Sequence, residues 1–354
     1  SSAASDVYKR QEQDIIPQIG EIVNEYRTTS NLPVAILITG DVVWDTMKFL
    51  PRVKRAFESL EVPVYAVIGN HDHNRKQSRN QRRAEERFEE TFGARNQSFI
   101  LGETLFLTFD NIEFRPNKTY YEGIDVEQLM WLSEVMENTP KDMRVAACMH
   151  ALATDRNTNI LKPYAKPVAA IVGERELHFI SGHHHNHGTY DVSPSVIEHN
   201  VAQVSGNLWF APICSDGTPR GVFCIEERDG EWSWHHRLLG KSPSDVLIAW
   251  NEGYVEGNEE YVVVKAIGWD SKWVVEWFEN GESRGEMEQI ELLDPDYLNY
   301  VERDAGYKKK YVERLRRSAH PHKHYFRLKR TIPDSDVRIV ATDRFGRTYE
   351  TVVN

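Results

Sequence analysis

Four short apolar runs each end in a compact polar cluster, and this recurrence constrains the fold more than any other feature of the chain. Val34–Ile38 leads into Gly40-Asp41, Val62–Ile68 into Gly69-Asn70-His71-Asp72-His73, Val145–Met149 into His150, and Leu177–Ile180 into Gly182-His183-His184-His185. Runs of this length, bounded by glycine and polar residues, suit buried strands. Between them lie stretches with helical spacing. Ile15, Ile16, Ile19, Ile22 and Val23 predict a helix from Glu12 to about Thr28, and Arg52–Leu60 predicts another, with Pro51 near its first turn. Asp125 and Gln128 form a capping box for a third, running to about Val135. Phe99–Phe109 reads as two short strands around Gly102-Glu103. Strands alternating with helices imply an α/β layered core, and such cores collect polar side chains at the ends of their strands.

Beyond residue 200 the pattern changes to hairpins. Asp229-Gly230 separates Val222–Ile225 from Trp232–Trp234, Asn280-Gly281 follows the strand-like Trp273–Phe278, and Phe345-Gly346 separates Val337–Ala341 from Tyr349–Val353. Tyr261–Ala266 is also strand-like, and the polar segment Lys241–Asp245, with Pro243, reads as a linker. The expected organisation is an α/β domain over 12–240 and a smaller β-rich accessory domain over 245–354.

The 354 residues suffice for two domains with a sizeable core. No apolar stretch is long enough to cross a bilayer. A formal charge of −11 disfavours a broad nucleic-acid footprint, so no nucleic-acid partner is expected. Cys148, Cys214 and Cys224 show no metal-ligand spacing. Cys214 and Cys224 can pair in an oxidising compartment, but a chain of this size needs no disulfide, and buried free thiols are the expected state.

Ser1–Gln11 reads SSAASDVYKRQ, which matches the in-frame translation of a transposase adapter used in preparing DNA sequencing libraries. These residues are expected to be non-native and are excluded from the fold. On that reading the natural chain begins upstream of Glu12.

All the strand-end side chains that can bind metal offer oxygen or nitrogen, with no thiolate. That set suits Mn, Fe, Zn or a similar cation and not a cysteine-zinc structural site. Their order and spacing resemble the signature of the calcineurin-like metallophosphoesterases: Asp-x-His or Asp-x-Gln, then Gly-Asp, Gly-Asn-His-Asp/Glu, a lone His, and Gly-His-x-His. Every element except the first is present. The missing element belongs on a strand just before the helix at Glu12. The resemblance implies a four-layer αββα sandwich and two divalent or trivalent metal ions. It makes Asp41 the bridging carboxylate, Asn70, His150 and His183 the other ligands of the second metal, and His185 a ligand of the first. His184 should point away. His71 is placed near the leaving-group oxygen, with Asp72 as its orienting partner.

The implied reaction is hydrolysis of a small phosphorylated substrate by a metal-bridging hydroxide, between cations roughly 3.5–4 Å apart. His71 would serve as general acid. Monoesters, diesters, nucleotides, lipid phosphates and sugar phosphates are all compatible, because the signature fixes the reaction centre and not the pocket walls. The alternative is a catalytically impaired member of the fold that binds a ligand or partner. Ser215-Asp216-Gly217-Thr218-Pro219-Arg220-Gly221, followed by Trp232-Ser233-Trp234, resembles a bacterial subgroup with a C-terminal β domain, many of whose members are exported. A periplasmic or secreted setting is implied by that resemblance alone.

Three weaker features have plainer readings. Arg75, Lys76, Arg79, Arg82 and Arg83 read as a solvated helix face with Glu85 and Glu86, although they can also guide an anion. His73 can touch substrate or close its loop. His320, His322 and His324 read as exposed beside Pro321, and Trp250, Trp269, Trp273 and Trp277 as core aromatics.

If the first metal motif is missing, titration of this chain with Mn or Zn should show one tight and one weak site, with poor phosphoester hydrolysis. Two tight sites would contradict that expectation.

Overall fold

The computed structural model describes residues 11–30, 32–209, 211–304 and 309–353. The expected non-native segment Ser1–Gln11 therefore lies outside the described residues, apart from Gln11. The chain divides into two compact units, one formed by 1–184 with 190–201 and the other by 185–189 with 202–354.

The first unit is α/β. Strands β1 (Ile36–Ile38) and β2 (Val64–Ala66) pair in parallel, with Ile36 opposite Val64. Helices Leu50–Glu58 and Gln81–Phe92 bury Leu50, Val53 and Phe88 with Ala66 and Ile68. A second sheet contains β3 (Ser98–Leu101), β4 (Thr104–Thr108), β7 (Arg144–Cys148), β10 (Leu177–Ser181), β11 (Gly188–Ser193) and β12 (Val196–Asn200), in the order β11-β12-β10-β7-β4-β3. Its centre is parallel, and β3 and β4 pair antiparallel about Gly102, where the two-strand reading of Phe99–Phe109 places the turn. Short hairpins β5 (Ile112–Phe114) with β6 (Tyr120–Glu122), and β8 (Thr154–Asp155) with β9 (Ile160–Leu161), project from the strand ends.

Helices Val126–Glu137 and Lys166–Val172 cover the larger sheet, where Leu132, Met136, Val168 and Val172 pack on Leu107, Val145, Ala147 and Phe179. The stacked rings of Tyr65 and Phe99 join the two sheets, giving the αββα layering. Every residue of β7 and β10 is buried, as parallel strands covered on both faces require. Asp125 caps its helix by accepting from Gln128 N–H, but the expected reciprocal bond is not formed. The Gln128 amide instead makes both hydrogen bonds to the Asp110 backbone, because that strand end is buried and needs partners.

The second unit is β-rich. Hairpin β13 (Gly221–Arg228) and β14 (Glu231–Leu238) turns at Asp229-Gly230, both with positive φ. Two four-stranded sheets follow. One has the order β15 (Leu247–Trp250), β16 (Val262–Ala266), β20 (His322–Leu328), β19 (Glu288–Leu292), and the other β18 (Glu282–Glu286), β17 (Val274–Glu279), β21 (Val337–Thr342), β22 (Thr348–Val353). Their shared core contains Val262, Val264, Trp277, Phe326, Ile339 and Val353, with Trp269 and Trp273 packed against it. Trp250 stacks near Tyr325 in a neighbouring cluster. His324 is buried, contrary to the exposed reading, because its Nε2 lies 2.8 Å from the Asp216 carbonyl. Cys148, Cys214 and Cys224 are free thiols. Among the described residues, no helix is long and apolar enough to cross a membrane.

Glu279, at the end of β17, is buried and accepts from Thr331 and Ile332 N–H, from the Thr331 and Ser335 hydroxyls and from Arg284. Burial would raise its pKa, but donors from Thr331, Ile332 and Ser335 outweigh that and hold it at about 2. Its ionised form stabilises the fold fully above pH 4.5, and that contribution is lost as pH falls towards about 2. Glu279→Leu should destabilise the protein by roughly 2–4 kcal/mol in urea titration, through orphaned donors, and should flatten the acid limb of the stability curve. A loss below about 0.5 kcal/mol would contradict this role.

Candidate metal centre

The first unit gathers its polar groups where β1, β2, β7 and β10 end. Asp41 follows β1 with φ 53°, and His183 follows β10 with φ 68°. These left-handed conformations are uncommon for residues with a Cβ and set the direction of both side chains. The turns pack closely. A Cβ on Gly69 would lie 2.3 Å from Asp41 N and Oδ1, and one on Gly40 would lie 2.4 Å from His150 Nδ1. Only glycine fits at either place.

Four candidate ligand atoms converge there. His150 Nε2 is 3.1 Å from Asn70 Oδ1, 3.0 Å from His183 Nδ1 and 3.4 Å from Asp41 Oδ1. Single ligand atoms of Asp41, His150 and His183 lie within 4.8 Å of one another. The His150 tautomer is fixed from behind. Its Nδ1 is 2.8 Å from the Thr39 carbonyl, so Nδ1–H donates there and the Nε2 lone pair faces the cluster. Asn111 Oδ1 accepts from His150 and Ala151 N–H and holds the turn.

The electrostatics suit a cation. Burial works to raise the pKa of Asp41, but the charge and hydrogen bond of His150, with a further contribution from His71, hold it below the usual carboxylate range. Burial opposes charging of His150, and the Asp41 charge outweighs it and raises the imidazole pKa. One carboxylate oxygen, one amide oxygen and two imidazole nitrogens form a donor set that fits Mn, Fe or Zn.

Asp72 is fully buried and accepts from Gly69 N–H at 2.9 Å, Val43 N–H at 2.9 Å and Val42 N–H at 3.2 Å. Burial and the charge of Asp41 push its pKa up to about 7, against those three donors. The carboxylate that meets the His71 ring is Asp45, with Oδ1 3.0 Å from Nδ1. Arg75 joins this pair, with Nε 3.1 Å from Asp45 Oδ1 and Nη2 3.3 Å from His71 Nδ1. Arg75 therefore sits beside the candidate chemistry, whereas Arg82 pairs with Glu85 and Glu127. His73 is buried and closes its loop, with Nδ1 2.8 Å from the Gly69 carbonyl and Nε2 2.9 Å from Asp110. Tyr120 brings its hydroxyl 3.4 Å from His183 Nε2. His184 is exposed.

His185 falls in the second unit, where its Nδ1 is 3.1 Å from Asn207 Oδ1. Asp45, Thr39, Asn111, Tyr120 and Asn207 had no signal in the motif pattern. Asp45 alone had a local clue, as a carboxylate four residues after Asp41.

The family model described as calcineurin-like phosphoesterase matches residues 4–187, and the one described as the C terminal of calcineurin-like phosphoesterase matches residues 198–349. A crystal structure of a dimetal phosphatase from Danio rerio is similar over 72% of this chain and 86% of that chain, with 14% identity and a TM-score of 0.40. The comparison with curated proteins finds no match.

Asp72→Ala would leave three buried N–H groups without their acceptor. It should cost roughly 2–4 kcal/mol of stability in urea titration and weaken Mn binding. Unchanged stability and unchanged Mn affinity would refute the clip.

Proposed function

The chain belongs to the calcineurin-like phosphoesterase family, and from that premise we propose that it hydrolyses a phosphate ester with two metal ions. The observation that carries this reading is the meeting of Asp41 Oδ1, Asn70 Oδ1, His150 Nε2 and His183 Nδ1 around one small space. These four residues would hold one cation, and His185 is read as a ligand of the other. When bound, the cations supply Lewis-acid charge for the phosphoryl oxygens and lower the pKa of a water.

The remaining chemistry belongs to the chain. His71 is the group to protonate the departing oxygen. Asp45 takes the Nδ1–H and so directs Nε2 outward. Arg75, beside both, offers a fixed positive charge to a phosphate. Asp72 keeps the Gly69–His71 backbone in register with that of Val42 and Val43, which sets the spacing between ligand and acid. No protein nucleophile is required.

With Mn in excess of what the weaker site needs, the protein should hydrolyse p-nitrophenyl phosphate or its bis-ester slowly but measurably. Asp41→Asn should lower the rate about a hundredfold or more, through loss of a charged ligand. His71→Asn should lower kcat far more than metal affinity. A rate insensitive to Asp41→Asn would remove the reading.

A further inference from the structure

The second unit contains a chain of hydrogen bonds whose directions can be read without seeing a proton. Asn207, buried between β12 and β13, places Nδ2 2.6 Å from the Tyr297 hydroxyl and 2.6 Å from the Ser318 hydroxyl. Both hydroxyls also contact the Leu315 carbonyl, Tyr297 at 2.9 Å and Ser318 at 2.7 Å, and each other at 3.0 Å. A carbonyl only accepts, so the hydroxyl protons are directed to Leu315. The hydroxyl oxygens are then left to accept from Asn207, which settles which end of its amide is NH2. The amide oxygen must face His185, and at 3.1 Å it can only accept from Nδ1–H.

We propose that Asn207 is a positioning residue that holds His185 in the Nδ1-protonated tautomer, so that Nε2 presents its lone pair to a cation. The inference rests on the reading of His185 as a metal ligand. It extends that reading by naming the group that orients the His185 ring. A ligating imidazole commonly donates its other N–H to an acceptor that fixes the ring, and loss of such an acceptor typically weakens metal binding about 10–100-fold.

The support behind Asn207 is rigid. Tyr297 is fully buried, and its N–H donates to Asp294 Oδ1 at 2.7 Å. The other oxygen of Asp294 accepts from Lys265 at 2.8 Å and from the Tyr325 hydroxyl at 2.9 Å, on the sheet of β16 and β20. Asn207 N–H donates to the Ile213 carbonyl at 2.9 Å, and its own carbonyl accepts from Ala211 N–H at 3.1 Å. The rings of Trp209 and His185 lie nearly perpendicular, 6.0 Å between centroids.

The test combines Zn titration of the whole chain by calorimetry with 15N NMR of the histidine rings, His185 being assigned with His185→Asn. In the parent protein His185 should be the Nδ1–H tautomer. Asn207→Leu should lose that tautomer preference and weaken the Zn step that His185→Asn removes, by about 10–100-fold. Asn207→Asp, which still accepts from Nδ1–H, should restore both to within a few-fold. Tyr297→Phe, keeping Asn207 and the ring, should give a smaller loss, and melting in EDTA reports whether each variant is folded. If His185→Asn removes a Zn step while folded Asn207→Leu keeps both the step and the tautomer, the positioning role is overturned. If His185→Asn alters no Zn step, the ligand reading beneath it falls instead. Equal loss in Asn207→Leu and Asn207→Asp also counts against the tautomer mechanism.

Discussion

The buried carboxylate of Asp72 ties together two turns distant in sequence, by accepting N–H groups from Gly69 on one and from Val42 and Val43 on the other. Backbone polar groups at dry strand ends must find partners, and an ionised carboxylate can satisfy several at once. Asp41 and Asn70 stand on these two turns, so their approach to His150 depends on that clip. The arrangement has an electrostatic cost, since Asp72 lies near the charge of Asp41 and its pKa is driven up to about 7. The backbone donors oppose that rise, and a cation beside Asp41 would oppose it further.

The histidines are oriented by acceptors lying behind them. The Thr39 carbonyl sets His150, and the Asn207 amide faces His185. Asp45 sets His71 in the same way. Imidazole presents two different nitrogens, and which one meets a ligand is decided by the hydrogen bond at the other. The turns that carry these rings are crowded enough that Gly40 and Gly69 admit no side chain. Close packing and directed hydrogen bonds thus do together what neither does alone: they fix donor atoms before any cation binds.

Much of this was legible in the sequence because it is local. Apolar runs ending in Gly-Asp, Gly-Asn-His-Asp, His and Gly-His-His-His mark strand ends. Asp229-Gly230 and Asn280-Gly281 mark hairpins, since both residues of each pair adopt positive φ. The cap at Asp125 was also readable, being a contact across three residues. Gln128 shows where local reading stops. Its spacing fits a capping box, yet its amide serves the Asp110 backbone 18 residues away. His324 has exposed-looking neighbours in sequence, and the fold buries it against Asp216, 108 residues distant.

The sequence alone therefore determined the element types, the hairpin turns and the kinds of donor atom gathered at strand ends, because propensity and periodicity act over a few residues. Only the tertiary structure decided that Asp45 meets His71, that Thr39 orients His150 across 111 positions, and that Asn207 lies against His185. Those contacts are hydrogen bonds between segments brought together by burying apolar surface. The packing that brings them together leaves no periodic trace in either segment.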